Sequence, residues 1–108
     1  MAQVKDITDE QFNQEALNAE EPVLIQFWAP WCGPCKMLMP VVEDVAEELN
    51  DSLKVCRVNV DENTETPGQY GVMSIPTMVL LKEGEIQDQI VGYLPKEELK
   101  EKLQESLN

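Results

Sequence analysis

The residues best able to do chemistry in this 108-residue chain are Cys32-Gly33-Pro34-Cys35. Ahead of them, Val23-Leu24-Ile25-Gln26-Phe27-Trp28 is a nearly unbroken apolar run, which reads as a central strand covered on both faces. Behind them, Leu38, Val41, Val42, Val45, Ala46 and Leu49 recur at helical spacing, with Glu43, Asp44, Glu47 and Glu48 on the opposite face. Cys32 therefore falls at the start of a long amphipathic helix. There the unpaired N–H groups and the positive end of the helix dipole favour thiolate over thiol. Cys32 is the expected nucleophile. Cys35, one turn in and less exposed, lies within disulfide reach and is placed to resolve a mixed disulfide. The pair is a reversible two-electron switch.

A structural staple and a metal site are the competing readings. Closing so short a loop stabilises a fold by only about 2 kcal/mol in the chain-entropy picture. A staple also has no reason to occupy a strand–helix junction. A metal site needs two more ligands, and the chain has no histidine and only Cys56 beyond the pair. A lone C-x-x-C in a reducing compartment reads as catalytic or metal-binding rather than structural. Cys56 stands in an apolar run and reads as a small buried hydrophobe rather than a third redox centre.

The elements that position the dithiol follow from the rest of the pattern. Thr8 and Gln11 form a capping box, so a first helix is expected from about Asp9, burying Phe12, Ala16 and Leu17. Pro40 interrupts the long helix and is expected to kink it. Leu53 to Val60 reads as a second buried strand, and a short helix over Thr64 to Tyr70 is weakened by Pro67-Gly68. Thr77–Leu81 and Ile86–Val91 flank Lys82-Glu83-Gly84-Glu85, a hairpin signal. Pro95 suits the first turn of a last helix carrying Leu99, Leu103 and Leu107. The order βαβαβα followed by ββα predicts a single α/β domain over residues 1–108, with a mixed sheet and helices on both faces.

Charge bounds the partners. Eight Lys and Arg against 21 Asp and Glu give a net charge of −13. Nucleic acid and anionic membrane both want cationic surfaces and are disfavoured. No apolar stretch approaches the roughly 20 residues of a membrane span. The opening Met1-Ala2-Gln3-Val4-Lys5-Asp6 has no apolar core of a secretory signal, so the cytoplasm is the expected compartment.

Trp28-Ala29-Pro30-Trp31-Cys32-Gly33-Pro34-Cys35-Lys36 resembles the active-site motif of thioredoxins. Asn59-Val60-Asp61, Ser74-Ile75-Pro76-Thr77, Lys82-Glu83-Gly84-Glu85 and Val91-Gly92 fall where that family carries their counterparts. A C-x-x-C beside a βαβ pattern is a signal for which thioredoxins are themselves the standard illustration. The resemblance covers essentially the whole chain and implies a thioredoxin fold, a five-stranded mixed sheet flanked by four helices. It implies a protein-disulfide reductase whose clients are disulfide-containing proteins and whose oxidised pair is restored by a thioredoxin reductase. It implies a monomer, and no bound cofactor other than the Cys32–Cys35 disulfide itself. It makes Ile75-Pro76 a cis peptide facing the dithiol, with Ile75 backbone groups pairing with an extended client. The residues alone read Pro76 as an ordinary strand-start proline. Trp31, Ile75, Pro76, Gly92 and the tip of the 70–74 loop would form an apolar docking rim. Trp28 reads equally as core packing. Gly33 and Pro34 place no charge between the cysteines, consistent with a reducing poise.

One position departs from the family pattern. Thioredoxins mostly carry a buried aspartate two residues before the first tryptophan of the motif, thought to exchange a proton with the resolving cysteine. Here that residue is Gln26, which can hydrogen-bond but cannot take that proton at neutral pH. The acid/base role therefore does not carry over. Glu43, Lys36 and Arg57 are the nearest alternatives the resemblance offers, and Gln26 and Arg57 are the residues it makes redox-tuning. A neutral polar core residue satisfied by backbone is the other reading of Gln26. Two rivals to a general reductase stand beside it: a non-enzymatic accessory subunit, and a redox donor devoted to one client.

Overall fold

The computed structural model describes residues 4–107; residues 1–3 and 108, the outermost ends of the expected domain, lie outside the described residues. β1 (Val4–Asp6) is followed by a π-helical turn (Asn13–Leu17), β2 (Val23–Trp28), α1 (Gly33–Glu48) and β3 (Lys54–Asn59). Then come α2 (Glu65–Gln69), β4 (Thr77–Lys82), β5 (Glu85–Val91) and α3 (Lys96–Leu107). The strands form one sheet in the order β1-β3-β2-β4-β5. β1, β3 and β2 are parallel, whereas β4 pairs antiparallel with both β2 and β5. This is the five-stranded mixed sheet that the resemblance implied.

β2 is buried from Val23 to Phe27 because helices cover both faces of the sheet. Strand alternation sorts its side chains. Val23, Ile25 and Phe27 join Phe12, Ala16, Cys56, Val58, Val79 and Leu81 in one apolar layer. Leu24 joins Val55, Met78 and Leu80 in the other, beneath Leu38 and Val42 of α1 and Leu99 and Leu103 of α3. Gln26 follows Leu24 by two residues and pairs in register with Arg57 of β3, two residues after Val55. Both polar side chains therefore belong to the α1 layer.

Several local expectations shift. The Thr8–Gln11 box forms, with Thr8 N–H donating to Gln11 Oε1 (3.1 Å) and Gln11 N–H to Thr8 Oγ1 (3.3 Å). A regular helix does not follow from Asp9, however; a turn leads into the π-helical segment. Long-range bonds hold that turn. Asp9 N–H donates to Asn63 Oδ1 (2.8 Å), and its carboxylate accepts from Glu65 N–H (3.1 Å), Thr66 N–H (2.9 Å) and Thr66 Oγ1 (2.7 Å). Phe12 and Ala16 are buried as expected, but Leu17 is only half-buried. Pro95 lies just before α3 rather than in it, its carbonyl accepting from Leu99 N–H at 3.0 Å. α1 runs through Pro40 to Glu48; Pro40 is exposed, so the carbonyl it leaves unbonded faces the solvent side. At the β4–β5 turn Glu83 and Gly84 both have positive φ (53° and 80°), the geometry a two-residue hairpin favours.

Candidate active site

Cys32 ends the loop after β2 and is the N-cap of α1, with extended backbone (φ −90°, ψ 107°). Pro34, in the first turn, has no N–H where the helix would leave one unpaired. The Cys35 N–H points at Cys32 Sγ across 3.2 Å. A sulfur in this position receives a backbone donor and the positive end of a helix of 16 residues. Cys32 and Cys35 are joined as a disulfide, Cα to Cα 5.3 Å. Cys35 is wholly buried, whereas Cys32 keeps 5% exposure. Only one of the two sulfurs can be approached from outside.

The far wall is the loop before β4. Ile75-Pro76 is cis, which fulfils the implied geometry rather than the plain strand-start reading. The Ile75 carbonyl oxygen lies 3.8 Å from Cys32 Sγ. Gly92 donates its N–H to the Pro76 carbonyl (2.8 Å) and has φ +94°, a backbone state that favours glycine. Beside the dithiol runs an open groove of about 600 Å³, apolar along most of its lining, with Trp31, Val60, Pro67, Val72, Met73 and Ile75 among its walls. Trp31 is 69% exposed and Met73 97%. Trp31 and Ile75 thus line the groove as expected, while Pro76 is buried behind Ile75 and Gly92 sits beyond it.

Two groups at this rim escaped the sequence reading. Asp61 accepts a hydrogen bond from Trp31 Nε1 (3.1 Å), fixing the orientation of an exposed indole. Val60, just after β3, and Pro67, within α2, also supply groove surface. The motif Asn59-Val60-Asp61 marked the place, but only the tertiary structure brings it beside Trp31. Trp28 packs against Ala29, Cys32 and Cys35, so it acts as core under the dithiol.

Behind Cys35 the polar layer is continuous. Gln26 is wholly buried, its Nε2 donating to the Cys35 carbonyl at 3.5 Å. Its Oε1 accepts from Arg57 Nε at 3.2 Å. Arg57, 6% exposed, donates through Nη2 to Glu43 Oε2 (3.3 Å) on the rim of α1. Gln26 is thus bonded to both backbone and side chain, and two of the three alternatives, Glu43 and Arg57, stand in one chain of contacts. Lys36 is exposed and takes no part in it. Cys56 lies on the opposite face, fully buried, and burial pushes its thiol up to about 11. Among the described residues no group of His, Cys, Asp or Glu is arranged to hold a metal ion, and no helix is long and apolar enough to cross a membrane.

The thioredoxin family model matches residues 3–105. A thioredoxin of Listeria monocytogenes is 55% identical over 98 residues, covering 91% of this chain and 93% of the relative. A thioredoxin of Bacillus subtilis is 54% identical over 101 residues, 94% of each chain. Thioredoxin 1 of a Nostoc species is 45% identical over 107 residues, covering 99% of this chain and all of the relative.

Proposed function

This chain belongs to the thioredoxin family, and on that premise we propose that it is a protein-disulfide reductase in which Cys32 attacks and Cys35 resolves. The observation that carries the reading is the paired placement of the sulfurs. Cys32 caps α1 with a backbone N–H aimed at its Sγ, and Cys35 is bonded to it in the buried position behind.

The cycle starts with the Cys32 thiolate attacking one sulfur of a client disulfide, releasing the other as thiolate. A client strand laid along the groove brings its disulfide to Cys32 while its backbone pairs with Ile75. Trp31 and Ile75 offer apolar surface to the residues flanking the client cysteine, and Pro76 and Gly92 shape the wall behind them. Cys35 then attacks Cys32 Sγ, the bond to the client breaks, and the Cys32–Cys35 disulfide remains. The cysteines carry the electrons, so no bound cofactor is needed, and one chain holds both sulfurs, so a monomer suffices. A thioredoxin reductase returns the pair to the dithiol. Gly33-Pro34 places no charge between the sulfurs to stabilise the reduced form, which favours reduction of clients. A cytoplasmic location suits that direction.

Turbidimetric reduction of insulin with dithiothreitol as electron source tests this. Wild type should precipitate insulin far faster than dithiothreitol alone. Cys32→Ser should abolish the acceleration, and Cys35→Ser should accumulate a mixed disulfide visible as an added client mass. Full acceleration by Cys32→Ser would refute the assignment.

A further inference from the structure

We propose that Met73 is an oxidative modification site: hydrogen peroxide converts its thioether to the sulfoxide, and the polar lip so formed weakens docking of protein clients without altering the dithiol. The proposal rests on the reading of the groove as the client site. Met73 is 97% exposed and lines the groove two residues before Ile75, whose carbonyl oxygen lies 3.8 Å from Cys32 Sγ. The loop beneath it is held on both sides. Val72 N–H donates to the Pro67 carbonyl (2.9 Å), and Thr77 Oγ1 donates to the Ser74 carbonyl (2.6 Å). Val72 packs against the apolar layer of Phe12 and Phe27, which leaves Met73 outward. A thioether so exposed contributes nothing to the core, so its oxidation spares the fold.

The other sulfurs are poorer targets. In the disulfide form Cys32 and Cys35 are bonded to one another. Cys56 and Met78 are wholly buried, and Met39 is half-buried. Burial also keeps the Cys56 thiol neutral, the less oxidisable form. Among the described residues only Met37, 63% exposed on α1, offers a comparable thioether, and it does not line the groove.

In the step itself a lone pair of Met73 Sδ attacks one peroxide oxygen and the O–O bond breaks. The proton left on the sulfur-bound oxygen passes to the departing hydroxide, giving water. The thioether loses two electrons and the peroxide gains them. The product carries a polar S–O group where the lip was apolar. Covering that group with a client strand costs free energy unless a donor reaches it. The Trp31 indole N–H in the same groove is already given to Asp61 at 3.1 Å.

Treating the disulfide form with hydrogen peroxide, removing the excess with catalase and mapping peptides by mass spectrometry tests the site. One added oxygen should appear at Met73 ahead of Met37, and well ahead of Met39 and Met78. Each protein is then compared with its own untreated sample. For wild type, kcat/KM for insulin should fall about three- to tenfold. The first phase of attack on a chromogenic aryl disulfide, in which Cys32 releases one coloured thiolate, should not change, nor should the unfolding midpoint. Met73→Leu should hold its own insulin activity through the treatment, whereas Met37→Leu should lose it as wild type does. A methionine sulfoxide reductase driven by dithiothreitol should restore the treated wild type. Oxidation of Met37 ahead of Met73, Met73 oxidation with no loss on insulin, a loss that persists in Met73→Leu, or an equal loss on the aryl disulfide would overturn the proposal. Failure of untreated wild type to speed insulin reduction would instead overturn the function on which it rests.

Discussion

Replacing Cys56 by alanine should remove a pH dependence of stability that the wild type carries only in alkali. Cys56 is fully buried on β3, packed with the apolar layer that contains Ile25, Phe27 and Val79. Burial raises its thiol from 9.0 to about 11, the Lys54 charge opposing this only in part. The charged form is the thiolate, which the unfolded chain reaches first. Stability is therefore complete below about pH 9 and declines as the unfolded state ionises. The decline ends once the folded thiol ionises too, near pH 11. A gap of about two pH units at 1.36 kcal/mol each makes the full loss about 2.7 kcal/mol. That is a large part of the roughly 5–15 kcal/mol typical of a domain. Urea unfolding of the disulfide form, in which Cys32 and Cys35 do not titrate, measures it. Tyr70 is also raised by burial and destabilises in the same direction, so the quantity to compare is the difference between wild type and Cys56→Ala. That difference should be nearly flat to about pH 9 and shrink toward a full loss of about 2.7 kcal/mol above about pH 11. Parallel curves for the two proteins would refute the argument that burial holds this sulfur neutral.

Gln26→Asp should place a carboxyl between Arg57 and Cys35, speeding Cys35 attack and adding a second ionisation to its pH profile; an unchanged rate and profile would contradict the view that an acceptor is missing. The same change should lower stability by about 1–3 kcal/mol in urea, because Arg57 offsets only part of the desolvation of a buried carboxylate. Trp31→Ala should lower kcat/KM for a folded client about five- to thirtyfold, through roughly 1–2 kcal/mol of lost groove contact, while small-disulfide reduction stays near wild type. Leu103→Ala, at a fully buried contact of α3 with the α1 layer, should cost about 2–5 kcal/mol in thermal or urea unfolding without altering the first phase of disulfide attack.

The dithiol was legible because its chemistry is local: a strand, a helix start and two cysteines are contiguous in sequence, and helix termini act on whatever side chain stands there. β2, α1 and the hairpin were legible for the same reason, their periodicities being uninterrupted. The three residues of β1, Val4–Asp6, carry no such pattern, since only Val4 is apolar and the strand forms by pairing with β3. The helix expected from Asp9 failed because Asp9 bonds to Asn63, Glu65 and Thr66, a demand from more than fifty residues away. Asp61 beneath Trp31 and the link from Arg57 to Glu43 are likewise tertiary facts. Gln26 stood out only because a family pattern said what usually stands there; its bonds to Cys35 and Arg57 arise only once the chain is folded.

Cys56 and Arg57 are chain neighbours on β3, facing opposite sides of the sheet. A slip of one residue in the pairing of β3 with β2 would exchange them. The guanidinium would enter the layer of Phe12 and Phe27, and a third sulfur would arrive on the floor beneath Cys35, where scrambling could begin. The register Gln26↔Arg57 thus does more than align a sheet: it keeps the spare thiol out of the exchange reaction, and the high cost of burying arginine among aromatics enforces that separation each time the chain folds.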